Sequence, residues 1–158
     1  LATAQPWDEE MRQRIARHQQ DRAERVPGLR TLEVPRALAE AIAQHSRPDT
    51  LLVVDCLTLW LTNWRMPAEA TDATCDATTD AMEAAANQAC AALVQAIAQA
   101  SGPLVLVGNE IGLGVIPLGA QVRAFVDALG RLNQAVAQVC PRVTLMVAGQ
   151  PLVVKGGA

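Results

Sequence analysis

Residues 50–55 read TLLVVD, four consecutive apolar residues held between Thr50 and Asp55. A short unbroken apolar run of this kind suits a strand covered on both faces, as in a parallel sheet, where alternation with polar residues is not needed. Outward from it the pattern recurs in PLVLVGN at residues 103–109 and in RVTLMVAGQ at residues 142–150, with a short fourth run, LVVK, at residues 152–155. The intervening segments have helical character. Residues 80–100 are Ala-rich and almost free of breakers until Ser101-Gly102, which predicts one long helix. In residues 119–139, Val122, Phe125, Val126, Leu129 and Leu132 fall on one stripe. Upstream, WDEEMRQRIARHQQ at residues 7–20 has acids in its first turn and Met11 and Ile15 one turn apart, the pattern of an exposed amphipathic helix. Pro35 opens a further helix to His45, with Leu38 and Ile42 inward. Residues 67–79 are a Thr- and Ala-rich connector. Strands alternating with helices imply parallel βαβ units, so the expected class is α/β, a mostly parallel sheet with helices on both faces.

The bulk properties narrow the function. The 158 residues suit one α/β domain spanning 1–158, and 51% hydrophobic with 18% charged residues describes a packed core rather than disorder. Aromatic residues make up only 3%, so aliphatic side chains must fill the core and few rings remain for stacking bases. A net charge of -3 offers no broad attraction for nucleic acid or anionic membrane. Small-molecule substrates are the partners that remain. The longest apolar run, residues 51–61, contains Asp55 and is too short to cross a bilayer, and no signal peptide opens the sequence; a cytoplasmic protein without a membrane span is expected. Cys56, Cys75, Cys90 and Cys140 lie far apart without a C-x-x-C pair, which reads as free, buried thiols.

Ligands of open parallel sheets bind beyond the carboxyl ends of the strands. The polar residues expected there are Asp55, Thr58, Asn109, Glu110 and Gln150. An acid closing an apolar strand matches the magnesium-holding acid of phosphate-loop enzymes, although a strand-end Asp is also a common helix N-cap. The segment VGNEIGLGVIP at residues 107–117 has Gly112 and Gly114 beyond a strand end, where backbone can turn sharply or approach a partner closely; the plain alternative is a connecting loop. His18 shares a helical face with Arg14, near Arg17 and Arg22. Guanidinium groups suit a phosphate chain and leave imidazole as the nearby nucleophile, against the alternative of a solvated basic face. His45 has no such company.

Four segments, M-x-x-R-I-x-x-H (residues 11–18), LLVVDCLTLWLTN (51–63), VGNEIGLGVIP (107–117) and DALGRLNQ (127–134), together resemble the bifunctional adenosylcobinamide kinase / adenosylcobinamide-phosphate guanylyltransferase family of cobalamin biosynthesis in order and approximate spacing. The resemblance runs over nearly the whole chain, from Leu1 to about Lys155. It implies a phosphate-loop NTPase-like fold and two reactions: phosphorylation of adenosylcobinamide by ATP or GTP, then transfer of GMP from GTP to that phosphate. It implies a guanylylated histidine at His18, a nucleotide- or Mg2+-binding acid at Asp55, and a GTP site lined by Ala2, Thr3, Ala4, Gln19, Gln20, Asp21, Arg22 and Glu33. A homo-oligomer, a trimer in the family, is implied as well.

The sequence departs from that family at its start. The family opens on a strand and a G-x-x-x-x-G-K-[ST] loop, and no such motif occurs in these 158 residues. The expectation is therefore an N-terminally truncated domain lacking its first strand and loop, inactive as it stands, with the vacant strand position opening beside Asp55. Two other readings remain open at this point: a fragment of a different phosphate-loop kinase or nucleotidyltransferase, and a degenerate, non-catalytic α/β domain kept for oligomer contacts or cobinamide binding.

Overall fold

A computed structural model describes residues 1–66 and 76–157. The connector at residues 67–79 lies for the most part outside them, as does Cys75. Helix α1 is Glu9–Arg25, with Asp8 as N-cap, its side chain accepting from the Met11 amide, and acids at Glu9 and Glu10 where the helix dipole favours them. Helix α2 is Leu38–His45, strand β1 Leu52–Asp55 and helix α3 Leu57–Arg65. Helix α4 is Asp76–Ala98, strand β2 Leu104–Val107, helix α5 Ala120–Val139, and strands β3 and β4 are Val143–Val147 and Gln150–Lys155.

Strands β1 and β2 pair in parallel, Leu52 opposite Leu104 and Asp55 opposite Val107. Parallel pairing of strands joined through a helix is what the apolar runs predict. On the far side of β1, Ala2 forms parallel bridges with both Asp55 and Glu33, so Leu1 to Ala4 acts as a neighbouring strand fragment. The Thr3 amide donates to the Asp55 carbonyl at 3.1 Å, and the Asp55 amide to the Leu1 carbonyl at 3.0 Å. Both edges of β1 are thus filled. The expected vacancy beside Asp55 is not there; the edge that carries no strand among the described residues is the outer edge of β2, where Val105 and Val107 are exposed. Adjacency of β1 and β2 moves the open position one strand away from the acid.

A second difference concerns the sheet itself. Instead of one mostly parallel sheet there are, among the described residues, two two-stranded ones, since β3 and β4 form an antiparallel hairpin of their own. The cause is the connection. Ala148 and Gly149 both have positive φ, 50° and 76°, the backbone of a primed two-residue turn that folds a chain directly back on itself. Lys155 at the end of β4 donates to the carbonyls of Ala137 and Gln138 at 2.8 and 3.0 Å, placing a cation at the negative end of α5.

The core lies among α2, α3, α4 and α5 against β1. Leu38, Ile42, Val54, Trp60, Leu61, Leu93, Leu129 and Leu132 are buried there, an aliphatic filling with one tryptophan at its centre. Of the stripe expected on α5, Phe125, Leu129 and Leu132 are buried, joined by Ala128 and Val136, whereas Val126 is half-buried and Val122 is exposed. Gly102 ends the α4 segment for a steric reason: a Cβ there would stand 1.7 Å from the Arg47 carbonyl oxygen, while its amide donates to Ser46 Oγ at 3.0 Å. The cysteines are free thiols among the described residues, Cys56 buried and Cys90 and Cys140 half-buried. Burial pushes the Cys90 thiol up, opposed in part by Arg65 and Arg131. No described helix is long and apolar enough to cross a membrane.

Candidate functional site

The carboxyl ends of β1 and β2 lie on one edge of the parallel pair, so Asp55 and Asn109 share that edge, as right-handed crossovers require. Asp55 does not cap the helix that follows. Cys56 does, its Sγ accepting from the Leu59 amide at 3.5 Å. The Asp55 carboxylate is half exposed and accepts from Arg22 Nη2 at 3.0 Å through Oδ2. Arg22 thereby fixes α1 across the strand end.

Beside this ion pair the Leu1 to Ala4 fragment bends into a small cavity of about 150 Å³, lined by Ala4, Pro6, Arg12, Ile15, Ala16, Gln19 and Glu33. Gln19 Nε2 donates to Glu33 Oε1 at 3.3 Å, closing the cavity between α1 and the bridge residue Glu33. Thr3 underlies it. Its side chain is buried, donating from Oγ1 to the Cys56 carbonyl at 2.7 Å and accepting from the Cys56 amide at 2.9 Å. Ala4, Gln19 and Glu33 line the cavity, and Ala2, Thr3 and Arg22 are tied to Asp55 at the strand end, although these residues come from four separate stretches of chain. Asp21 is half-buried on the same helix. Gln20 stands apart, since its amide donates along α1 to Glu24 at 2.9 Å.

His18 is exposed on α1, one helical turn before Arg22. Arg22, one turn further on, is the side chain anchored to Asp55, and His18 is not among the residues that line the cavity. The remaining expected residues sit along the β2 end. Thr58 Oγ1 accepts from the Asn109 amide at 3.0 Å. Asn133, in the DALGRLNQ segment of α5, donates to the Asn109 carbonyl at 3.2 Å and to Glu110 Oε1 at 2.7 Å, which holds the glycine-containing loop to the helix. Beyond it a turn of 3-10 helix at Ile111–Leu113 leads into Val115, Ile116 and Leu118, all exposed. Gln150, expected at this edge, instead opens β4 opposite Val147 in the antiparallel hairpin, which is not paired with β1 or β2.

A sequence model of the family described as cobinamide kinase / cobinamide phosphate guanyltransferase matches residues 1–154. The chain belongs to this family. The bifunctional adenosylcobalamin biosynthesis protein CobP of Pseudomonas aeruginosa is 44% identical over 156 residues, which cover 99% of this chain and 81% of that protein. The CobU proteins of Escherichia coli and Salmonella typhimurium, of the same description, are 33% and 32% identical over 149 residues, covering 94% of this chain and 81% of each.

Residues that the sequence alone did not single out complete the site from behind. Asn63, almost wholly buried, donates from Nδ2 to the carbonyls of Thr3 and Pro35, each at 2.8 Å. Arg36 donates from Nε and Nη2 to the Asn63 carbonyl at 3.0 and 2.7 Å and lies over the Trp64 ring, 5.2 Å from its centroid. Trp60 Nε1 donates to the Arg36 carbonyl at 2.9 Å. The only signal for Trp60 and Asn63 was their place inside the LTLWLTN run, where a polar group among apolar residues has to find a partner once buried, and nothing in the sequence marked Arg36.

Proposed function

We propose that this chain is the nucleotide-binding α/β domain of an adenosylcobinamide kinase / adenosylcobinamide-phosphate guanylyltransferase, of the phosphate-loop NTPase type. The supporting observation is the cavity lined by Ala4, Gln19 and Glu33 at the end of the Leu1 to Ala4 fragment that pairs with β1, together with the Arg22–Asp55 ion pair at the carboxyl end of that strand and His18 one helical turn before Arg22. In this reading the cavity takes the guanine end of GTP. The Glu33 carboxylate can accept from the paired N–H groups of a purine that carries them, which favours guanine over adenine. The guanidinium groups of Arg22 and Arg12 suit the phosphates.

His18 is the nucleophile of the second reaction. A neutral imidazole nitrogen attacks the α-phosphorus of GTP, an N–P bond forms and pyrophosphate leaves. The phosphate oxygen of adenosylcobinamide phosphate then attacks the same phosphorus, the N–P bond breaks, and GMP passes to the substrate. Exposure of His18 in the middle of α1 leaves it room to meet a substrate outside the cavity. Asp55 fits a single-carboxylate magnesium site, since Oδ1 has no protein partner among the described residues and Mg2+ usually takes one or two carboxylates beside phosphate and water. Bound there, Mg2+ would neutralise charge on the phosphates of ATP or GTP. The kinase step further requires a phosphate loop. A strand carrying one would pair with the open edge of β2, about 10 Å from Asp55 at ordinary strand spacing. The reading also takes the enzyme as cytoplasmic and homo-oligomeric, as a trimer.

The test uses α-labelled GTP and a chain extended by a phosphate-loop segment. Wild type should acquire acid-labile, base-stable label, as a phosphoramidate does, and His18→Ala none, while phosphorylation of cobinamide continues in both. Equal labelling of the two would remove His18 from the mechanism.

A further inference from the structure

Asn63 touches no substrate position, yet it is joined to both walls of the candidate cavity. One amide group donates to the Thr3 carbonyl, in the fragment that leads into Ala4, and to the Pro35 carbonyl, two residues beyond Glu33. The two walls are otherwise joined by backbone bonds alone, Ala2 amide to Leu32 carbonyl at 2.8 Å and Val34 amide to Ala2 carbonyl at 2.7 Å. Those bonds hold the fragments side by side, whereas Asn63 ties both to α3, the helix that leaves the Asp55 end of β1. Its carbonyl is in turn gripped by Arg36, so helix, Glu33 segment and Thr3 segment form a closed loop of hydrogen bonds. The Oδ1 atom of Asn63 is buried without a partner among the described residues.

We infer that Asn63 is a positioning residue for the guanine-nucleotide site: it sets the separation of the Thr3–Ala4 and Glu33–Pro35 walls and their height relative to Asp55. This rests on the nucleotide reading above. Loss of the amide donors frees two carbonyls that are fixed within a few residues of Ala4 and Glu33, so the cavity loosens while the apolar core behind it keeps its packing.

The test compares the full chain with Asn63→Leu, which keeps the branched four-atom outline of the side chain and removes both donors, by calorimetric titration with GTP and by amide hydrogen exchange. GTP affinity should fall about tenfold or more, the equivalent of one well-placed tether. Exchange should quicken at Ala2, Thr3 and Val34 and stay unchanged at core amides of α5 such as Leu129 and Leu132. Unchanged affinity, or faster exchange spread evenly through α5, overturns the positioning role. If Asn63→Leu does not fold, Asn63→Asp carries the same test, and failure of both to fold makes Asn63 a core residue and overturns the inference. A wild-type chain that binds no GTP defeats the nucleotide reading itself, an outcome distinct from wild-type binding that the substitution leaves intact.

Discussion

The corner around Thr3, Asp55 and Asn63 and the hairpin of β3 and β4 are built on opposite terms. In the corner, polar groups are buried and almost every one is satisfied, by partners as far as 60 residues away in sequence. In the hairpin, the pairing is local and the side chains Met146, Val147, Leu152, Val153 and Val154 remain exposed. Long-range buried bonds rigidify and specify one geometry, while a local hairpin can form without the rest of the fold. The difference separates the part of this chain that shapes a site from the part that offers apolar surface, together with the open edge of β2 and the loop through Val115, Ile116 and Leu118.

The largest expected effect lies behind the corner. Trp60 is 1% exposed, packs edge-on against Trp64 and supplies the donor to the Arg36 carbonyl. Trp60→Ala should destabilise the chain by about 3–5 kcal/mol, from lost burial, the cavity left and an orphaned carbonyl. Urea unfolding measures it. A loss below about 1 kcal/mol would mean that the corner is not anchored to the core, and the contrast with the hairpin would dissolve.

Next in size is an effect on binding rather than on folding. Asp55 and Arg22 form an ion pair that is 47% and 27% exposed at the side chains, so its contribution to stability is modest, under about 1 kcal/mol. The same carboxylate is the one group proposed to serve Mg2+. Asp55→Asn should therefore leave the unfolding midpoint nearly in place and lower the affinity for GTP in the presence of Mg2+ by about tenfold or more. Titrations with and without Mg2+ check the point. Equal loss in both would assign Asp55 to holding α1 through Arg22 and not to the metal.

How much of this was legible in the sequence follows from the kind of signal each feature leaves. β1 and β2 were readable because a strand buried on both faces leaves an unbroken apolar run, and the shared edge of Asp55 and Asn109 followed from the handedness of crossovers. The long helices α4 and α5 were readable from composition and periodicity, within a few residues at their ends. Helix α3 was not delimited, because LTLWLTN is buried on several sides and shows no clean stripe. The hairpin was missed as such because Ala148 is an unusual residue for a left-handed turn position, where Asn or Gly is the ordinary sign. Which strand neighbours which is not written in any local pattern, and that is why the open position was expected beside Asp55 rather than beside β2. Asn63 was hidden for the same reason: its partners, Thr3 and Pro35, are neighbours only after folding. The grouping of Thr3, Ala4, Gln19 and Glu33 came from family resemblance, and the cavity that Ala4, Gln19 and Glu33 line is the geometric support that the residues by themselves did not contain.

The smallest expected effect is also the one that tests the hairpin side of the comparison. Val153 is 57% exposed and pairs across the ladder with Thr144, so its side chain contributes little burial within this chain. Val153→Thr keeps a β-branched residue suited to a strand and changes one methyl to a hydroxyl, and the cost should stay within about 0.5 kcal/mol in urea unfolding. The measurement gains force when repeated over a range of protein concentrations. A small cost at every concentration means that the hairpin face stands in water, as the side-chain exposures describe. A cost above about 1.5 kcal/mol that grows with concentration would mean that the face is covered in solution by another copy of the chain, since burying a hydroxyl against apolar surface without a partner carries a penalty of that order. In that event the apolar surface would belong to an assembly, and the division drawn between a site-forming corner and a solvent-facing hairpin would have to be redrawn as two interfaces of one oligomer.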